Sequence, residues 1–455
     1  MRIKLGHPMS LGSIAEATGG TIKTDKNILI NAVTTDSREL QNSDLFIAVK
    51  GMNFDGINFV SEVKKRGGFV LSSSPQFSDI FHSDSGAALL SFASFYIKTL
   101  PYLLYKIGIT GSVGKTTTKE FLKFLLSNHF VTHASSGNFN NKIGMPMSVL
   151  SADYNTQILI GEMGMNKPFE IAALSKAMMP DIALITNVGT AHIGNLGSRE
   201  NIAKAKLEIT EGMNDGILII PDDEPLLRCD KRQVKFSFTD KKADYFLDSD
   251  TDDNIFIYKE GQLYSHAKIQ IKGEPNKKCL LQAASVAIEL GLSGEELSKR
   301  MSSIPDVITR QNEFFLENRY FYTDYYNASR ESVLAFIKTA RYIDFKGEKN
   351  LLIGDILELG NLSETIHLEI GRAISSSIFS NLFLFGKQVE SVRRGAIENG
   401  FDSNRIFVNS DPSNPLSSVI QIRQFTKCGS MIFMKGSRAM QLERILDFFK
   451  KNLEG

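Results

Sequence analysis

Residues 108–120 read GITGSVGKTTTKE. The stretch leaves an apolar run, LLYKIGIT, crosses glycines and small polar residues, and enters the helix-competent TTKEFLKFLL. Strand, glycine loop and helix in that order leave few folds open, because the helix has to pack back on a sheet whose next strand runs parallel. Such a loop is also an anion site: its glycines let backbone N–H groups turn inward, and the helix N-terminus adds partial positive charge. Gly114, Lys115 and Thr116 match the end of the phosphate-loop pattern G-x-x-x-x-G-K-[ST], and Ser112 and Thr117 flank them. The position of the pattern's first glycine holds Ile109; Gly108 stands one residue early and Gly111 lies inside the loop. Lys115 has the length to reach terminal phosphates, and the Thr116 hydroxyl suits Mg2+.

Apolar strand-like runs recur after the loop as QILIGEMG, DIALITNVG and GILIIPDD, separated by helix-length segments. That alternation predicts a parallel, doubly wound sheet with ligands beyond the carboxyl ends of its strands. Residues 243–272 interrupt the rhythm with a polar stretch and the hairpin-like IYKEGQLY; the helical CLLQAASVAIELGL follows. Residues 1–100 carry shorter runs, ILINAVTTDSR, DLFIAVKG and GGFVLSSS, with a helix-like SLGSIAEAT before them. They read as a small α/β domain. From residue 309 the strand–helix theme returns in RYFYTDYY, NLLIGDI, NLFLFG, RIFVN and SMIFMKG, with helix-compatible ESVLAFIKTARYI and SETIHLEIGRAISSSIF between them. The expectation is therefore an α/β chain of three domains: a small N-terminal one over 1–100, a central P-loop domain over 101–308 and a Rossmann-like domain over 309–455. A length of 455 residues accommodates three.

Charge narrows the function. With 52 basic and 51 acidic side chains, nothing suggests a nucleic-acid or membrane-surface partner. Cys229, Cys279 and Cys428 form no CxxC pair, so neither a disulfide framework nor a thiolate metal site is expected. No run reaches the ~20 apolar residues of a membrane span, and no signal peptide is visible. A cytoplasmic monomer is the expectation.

A Mg-nucleotide site needs oxygen ligands beyond one hydroxyl. Glu162 ends the strand in QILIGEMG, and His192 follows the strand in DIALITNVG, so both leave the sheet at the edge that carries the loop. Lys204 and Lys206 follow in ENIAKAKLEIT; two apart on a helix they cannot share a face, and spacing does not choose between them.

Taken in order, GITGSVGKTTT, SSGNFNNKIGMPMSVL, GEMGMN, ITNVGTAHIGNLGSRENIAKAKLEI, GDILELG and KGSR resemble the Mur ligases, ATP-dependent amide-bond-forming enzymes of peptidoglycan precursor synthesis. The loop is shared with folylpolyglutamate synthetase relatives. NFNNKIGMP, DYYNAS and GDILELG are most similar to the MurF branch, which joins UDP-N-acetylmuramoyl-tripeptide to D-alanyl-D-alanine. The resemblance runs from about residue 30 to residue 445. There is no N-terminal GxGxxG and no DNPR motif, which other branches carry.

The resemblance implies a set of roles. Thr116 and Glu162 would hold one Mg2+ on ATP, and His192 a second, together with Lys206, which aligns with a lysine carbamylated in the family. Asn276 would approach the adenine, Asp324 the ribose and Arg310 the phosphates. Asn327, Asp355, Leu357, Lys435, Ser437 and Arg438 would lie on the dipeptide side. Asn138, Asn140 and Asn141 would line the approach of the muramoyl-peptide, and Asp36, Ser37, Arg38, Asp55 and Gly56 would hold the uridine diphosphate. The chain departs from the family pattern at four places: Pro275 and Cys279 replace a histidine and an asparagine around Asn276, Ile57 replaces a histidine, and Arg330 a proline. Two other functions compete at this stage, a different amino-acid ligase of the superfamily and a P-loop ATPase switch. The second makes no use of Glu162, His192 and Lys206 together.

Overall fold

The computed structural model describes residues 1–51, 54–137, 139–269, 271, 273–305, 312–325 and 327–451. Its largest sheet is organised around the Tyr105–Thr110 strand. On one side lie Ile158–Glu162 and then Thr132–Ala134; on the other lie Ile182–Ile185, Ile217–Pro221, Arg232–Ser237 and Tyr245–Ser249, all parallel. Chain order therefore reverses at Tyr105–Thr110, and the crevice beyond its carboxyl end is where an open α/β sheet takes its ligand. Ile109 is in register with both Glu162 and Leu184, so the glycine loop and Glu162 leave the sheet at one edge.

Ile158–Glu162 and Ile182–Ile185, with most of Tyr105–Thr110 and Ile217–Pro221, are buried on both faces, which is why they read as continuous apolar runs. Ile107, Ile109, Ile160, Leu184 and Ile219 lose nearly all exposure, and each such side chain contributes about 1.5–3 kcal/mol. The Lys115–Leu126 helix buries Phe121, Leu122, Leu125 and Leu126 in the same core as Leu280, Ala283 and Ala287 of the Glu274–Glu289 helix. The polar stretch stays in the sheet from Tyr245 to Lys268. Asn254–Lys259 and Gln262–Lys268 form the expected hairpin, turning at Glu260 and Gly261 with positive φ, and extend the sheet antiparallel at its far edge.

The N-terminal sheet runs parallel from Leu29–Thr34 through Leu45–Ile47 and Phe69–Ser72 to Ile80–Phe81. The opening MRIKLGHPMS, which shows no strand alternation, is nevertheless a strand, Arg2–Ser10, paired antiparallel on one edge. Ser10 then caps the Leu11–Thr18 helix by accepting the Ser13 N–H. This region rests on the central one: the Tyr96 hydroxyl donates to the Ala152 carbonyl at 2.9 Å, and His7 stacks on the Tyr96 ring at 4.6 Å.

The third sheet places Met431–Lys435 between Arg319–Asp324 and Lys349–Gly354, with Asn381–Phe385 and Ile406–Asn409 beyond, all parallel. Asn312–Leu316 adds an antiparallel edge strand. The helix in SETIHLEIGRAISSSIF stops at Ala373, because Ser375 and Ser377 bond each other and the local backbone instead. The chain is of mixed α/β class, as its sequence rhythm indicates.

Candidate active site

Two glycines set the path of the loop. Gly111 has φ 148° and Gly114 φ 88°, and a Cβ on Gly111 would lie 1.8 Å from Thr186 Oγ1. That close approach lets residues following the neighbouring strand hold the loop. Thr186 Oγ1 and Asn187 Nδ2 donate to the Val113 carbonyl at 2.6 and 2.8 Å, and the Val113 N–H donates to Asn187 Oδ1 at 3.0 Å. The Gly189 N–H donates to Ser112 Oγ at 2.9 Å. Asn187 and Thr186 were not singled out in the sequence; polar residues straight after an apolar strand at this sheet edge were the available signal.

Lys115 Nζ donates to the Gly111 carbonyl at 2.6 Å, folding its ammonium over the loop. Thr116 Oγ1 donates to Glu162 Oε2 at 2.5 Å, and Asn140 Nδ2 donates to Glu162 Oε1 at 2.9 Å. Glu162 is buried, and its N–H is taken by Ser135 Oγ at 3.1 Å. A hydroxyl and a carboxylate thus meet at the loop, a hard-oxygen donor pair suited to Mg2+. Among the described residues no group of three or more His, Cys, Asp or Glu gathers as a metal site.

Lys206 is buried in the Arg199–Leu207 helix, and its ammonium makes no hydrogen bond or ion pair among the described residues. Burial, aided by the nearby charge of Lys115, pushes it well below the usual lysine range. Lys204 is exposed, so the two lysines of this helix differ in burial. His192, with φ 65°, stands at the start of the short Ile193–Leu196 helix. Its Nδ1 lies 2.5 Å from Glu358 Oε2, which draws the Glu358 carboxyl below its ordinary value.

A cavity of about 640 Å³ opens at the loop. Ser112, Gly114, Lys115, Thr116 and Thr117 form its phosphate end, with Asn140 and Glu162 beside them. Pro275, Asn276 and Cys279 line one wall with Phe236 and Phe238. Two of the departures from the family pattern therefore face the cavity. Cys279 also supports the loop, its Sγ lying 3.7 Å from the Gly114 carbonyl. The third sheet closes the cavity with Asp324, Asn327 and Lys435. Lys435 is buried and donates to Asp324 Oδ2 at 2.6 Å and to the Asn327 carbonyl at 3.2 Å. Docking of this part on the central sheet uses Glu331, which accepts from the Thr190 N–H at 3.1 Å and its hydroxyl at 3.3 Å, and the Lys338–Glu274 pair at 2.7 Å. Glu331 carried no sequence signal, and Glu358, although inside GDILELG, had no visible link to His192, since their partners lie more than a hundred residues away.

Other expected residues lie elsewhere. Gly108 is inside its strand opposite Gly161 and Ala183 and does not line the cavity. Asn141 Oδ1 accepts the N–H groups of Ile143 and Gly144, capping the following turn. Asp355 accepts the N–H groups of Lys387 and Gln388 at 2.8 and 2.9 Å, and burial pushes its carboxyl up. Ser437 Oγ accepts the Leu357 N–H at 3.0 Å, and Arg438 pairs with Glu443 at 3.0 Å. The Ser437 N–H also donates to the Asp355 carbonyl at 3.1 Å, so Asp355, Leu357 and Ser437 form one cluster, while Arg438 points to Glu443. Arg330 occupies the first position of the Arg330–Tyr342 helix, where a proline is equally accommodated, and bonds Glu369 at 2.6 Å. Arg310 and Asn138 lie outside the described residues.

Asp36, Ser37 and Arg38 follow the Leu29–Thr34 strand, Asp55 and Gly56 come after the neighbouring Leu45–Ile47 strand, and none of them lines the cavity. Asp36 accepts the Arg38 guanidinium at 2.6 Å, which holds its carboxyl down to about 2. Asp55 caps the Gly56–Phe59 turn by accepting the Ile57 N–H, while the Ile57 side chain packs on Phe46 and Val60.

The Mur ligase middle domain family matches residues 109–287. Over 453 residues the chain is 35% identical to the UDP-N-acetylmuramoyl-tripeptide–D-alanyl-D-alanine ligase of Bacillus subtilis, across 95% of this chain and 96% of that one. MurF from Acinetobacter baumannii has the same fold at TM-score 0.85 and 27% identity, covering 99% of this chain and 100% of that chain. The MurF ligase of Thermotoga maritima in complex with ADP matches at TM-score 0.77 and 26% identity, covering 93% and 97%. With 35% identity to a MurF ligase over nearly the whole of both chains, and the same fold as solved MurF structures, the chain belongs to the Mur ligase family, in its MurF branch.

Proposed function

We propose that this chain is an ATP-dependent ligase that adds D-alanyl-D-alanine to UDP-N-acetylmuramoyl-tripeptide through an acyl phosphate. The observation that carries the reading is the phosphate loop, with Lys115 and the Thr116–Glu162 pair, opening into a cavity closed by Asp324, Asn327 and Lys435 of the third sheet. The tripeptide carboxylate attacks the γ-phosphorus of ATP, and ADP leaves. The dipeptide amine then attacks the acyl carbonyl, and phosphate departs from the tetrahedral intermediate. Lys115 and the loop N–H groups offset charge on the transferring phosphoryl group, and the docked third domain keeps water from the acyl phosphate. Mg2+, when bound, draws charge from the phosphate oxygens.

We assign one ion to Thr116 and Glu162, and a second to His192 with Lys206. Carbon dioxide adds to a neutral amine, so the depressed Lys206 ammonium favours the carbamate that would make it an oxygen ligand. Residues 1–100 take the uridine diphosphate through Asp36, Ser37, Arg38, Asp55 and Gly56. Residues 101–308 take ATP, with Asn276 near the base, and Asn140 and Asn141 on the muramoyl-peptide path. Residues 309–455 complete the nucleotide site with Asp324, and take the dipeptide on the side of Asn327, Asp355, Leu357, Lys435, Ser437 and Arg438. No described helix is long and apolar enough to cross a membrane. The need for ATP supports a cytoplasmic location.

The test is phosphate release with Mg-ATP, adding the UDP-muramoyl-tripeptide and D-alanyl-D-alanine separately and together. Release that needs both, with a UDP-muramoyl-pentapeptide as product, is the expected result. Release indifferent to both would overturn the ligase and favour the ATPase switch.

A further inference from the structure

The structure assigns Glu358 as a positioning residue that prepares His192 for its metal across the contact between the central and third sheets. The inference rests on the reading of His192 as a ligand. His192 Nδ1 lies 2.5 Å from Glu358 Oε2. An ionised carboxylate only accepts, so the ring proton sits on Nδ1 and the Nε2 lone pair is left to bind a cation. Histidine ligands usually have this arrangement, one nitrogen on the metal and the other donating to a carboxylate that sets the tautomer and the ring angle. Nε2 makes no hydrogen bond among the described residues.

What is unusual is where the carboxylate comes from. Glu358 belongs to the loop after the Lys349–Gly354 strand of the third sheet, and its φ of 63° turns that loop toward the central domain. The Gly194 N–H donates to the Glu358 carbonyl at 2.9 Å, so the backbone ties the loop to the residues next to His192. The carboxylate arrives only when the third domain is seated. Both side chains keep some exposure, 20% and 46%, so as an ion pair alone the contact would contribute little to stability. Its consequence is the fixed tautomer, which makes metal binding at His192 depend on domain docking.

The experiment measures Mn2+ binding to the full chain with a non-hydrolysable ATP analogue, for wild type, His192→Ala, Glu358→Ala and Glu358→Gln. Wild type is expected to bind two ions and His192→Ala one. Glu358→Ala should bind one of the two about 10- to 100-fold more weakly, with Gln, a poorer acceptor of the same shape, between. A metal-free readout accompanies it: 15N NMR of the imidazoles, of which the chain has seven, with His192 identified by its absence in His192→Ala. The proton should sit on Nδ1 in wild type and redistribute in Glu358→Ala. Should Glu358→Ala fail to fold, the isosteric Gln variant carries both comparisons. Unchanged Mn2+ affinity and an unchanged tautomer in the Glu358 variants, while His192→Ala loses an ion, would overturn the inference and leave the metal reading standing. Two ions retained by His192→Ala would overturn the metal reading and this inference with it.

Discussion

Lys206 is buried within electrostatic reach of Lys115, whose positive charge disfavours an ammonium there. An unpaired buried ammonium is costly, so its retention points to chemistry rather than stability. Lys206→Met is expected to raise the thermal midpoint in carbon-dioxide-free, metal-free buffer, while lowering kcat by a factor on the order of 100 or more. Lys206→Ala should regain part of its activity with added short carboxylic acids. Activity that neither bicarbonate nor such acids can change would count against the carbamate. The charge state also sets a pH dependence. Because the folded-state value is depressed, the destabilisation is full below it and disappears as pH rises toward the unfolded lysine range. Stability lost to Lys206 is therefore an acid-side effect, and the wild-type deficit relative to Lys206→Met should shrink in alkaline buffer.

Gly111→Ala tests the loop. The new Cβ would meet Thr186 Oγ1 in a backbone region that L side chains rarely adopt. ATP affinity, followed by fluorescence titration with a labelled analogue, should fall at least tenfold. Binding equal to wild type would mean that Val113 and Asn187 do not fix the loop as found here.

Asp36 gives the N-terminal region an acid sensitivity of its own. Arg38 holds its folded-state carboxyl at about 2, below the unfolded value, so its contribution is full above about pH 4 and is lost as pH falls toward 2. Asp36→Asn should flatten the urea midpoint against pH across that window while leaving the slope above it unchanged. The same slope in variant and wild type would show that the Arg38 pair contributes nothing.

Asp355 holds two backbone N–H groups ahead of the Val389–Glu398 helix. Asp355→Ala leaves both without their acceptor and should cost about 1–3 kcal/mol in denaturant unfolding. Asp355→Asn retains one acceptor oxygen and should lose less. Equal losses for the two would place the cost in the charge and not in the hydrogen bonds.

The local pattern of this chain was decided by sequence at the loop and the strands. Glycines at 111 and 114 between an apolar run and a helix dictate a turn that few other residue types permit, and doubly buried strands must be continuous apolar runs. Hence the α/β class, the loop and the shared edge for Glu162 were legible. The Arg2–Ser10 strand was not, because an edge strand with irregular pairing has no clean alternation. Nor was the difference in burial between Lys206 and Lys204, which depends on which side of one helix the rest of the protein covers. The tertiary structure alone brought Glu358 to His192 and Glu331 to Thr190. Those contacts span 166 and 141 residues, and docking of separate sheets, not any spacing along the chain, brings their partners together.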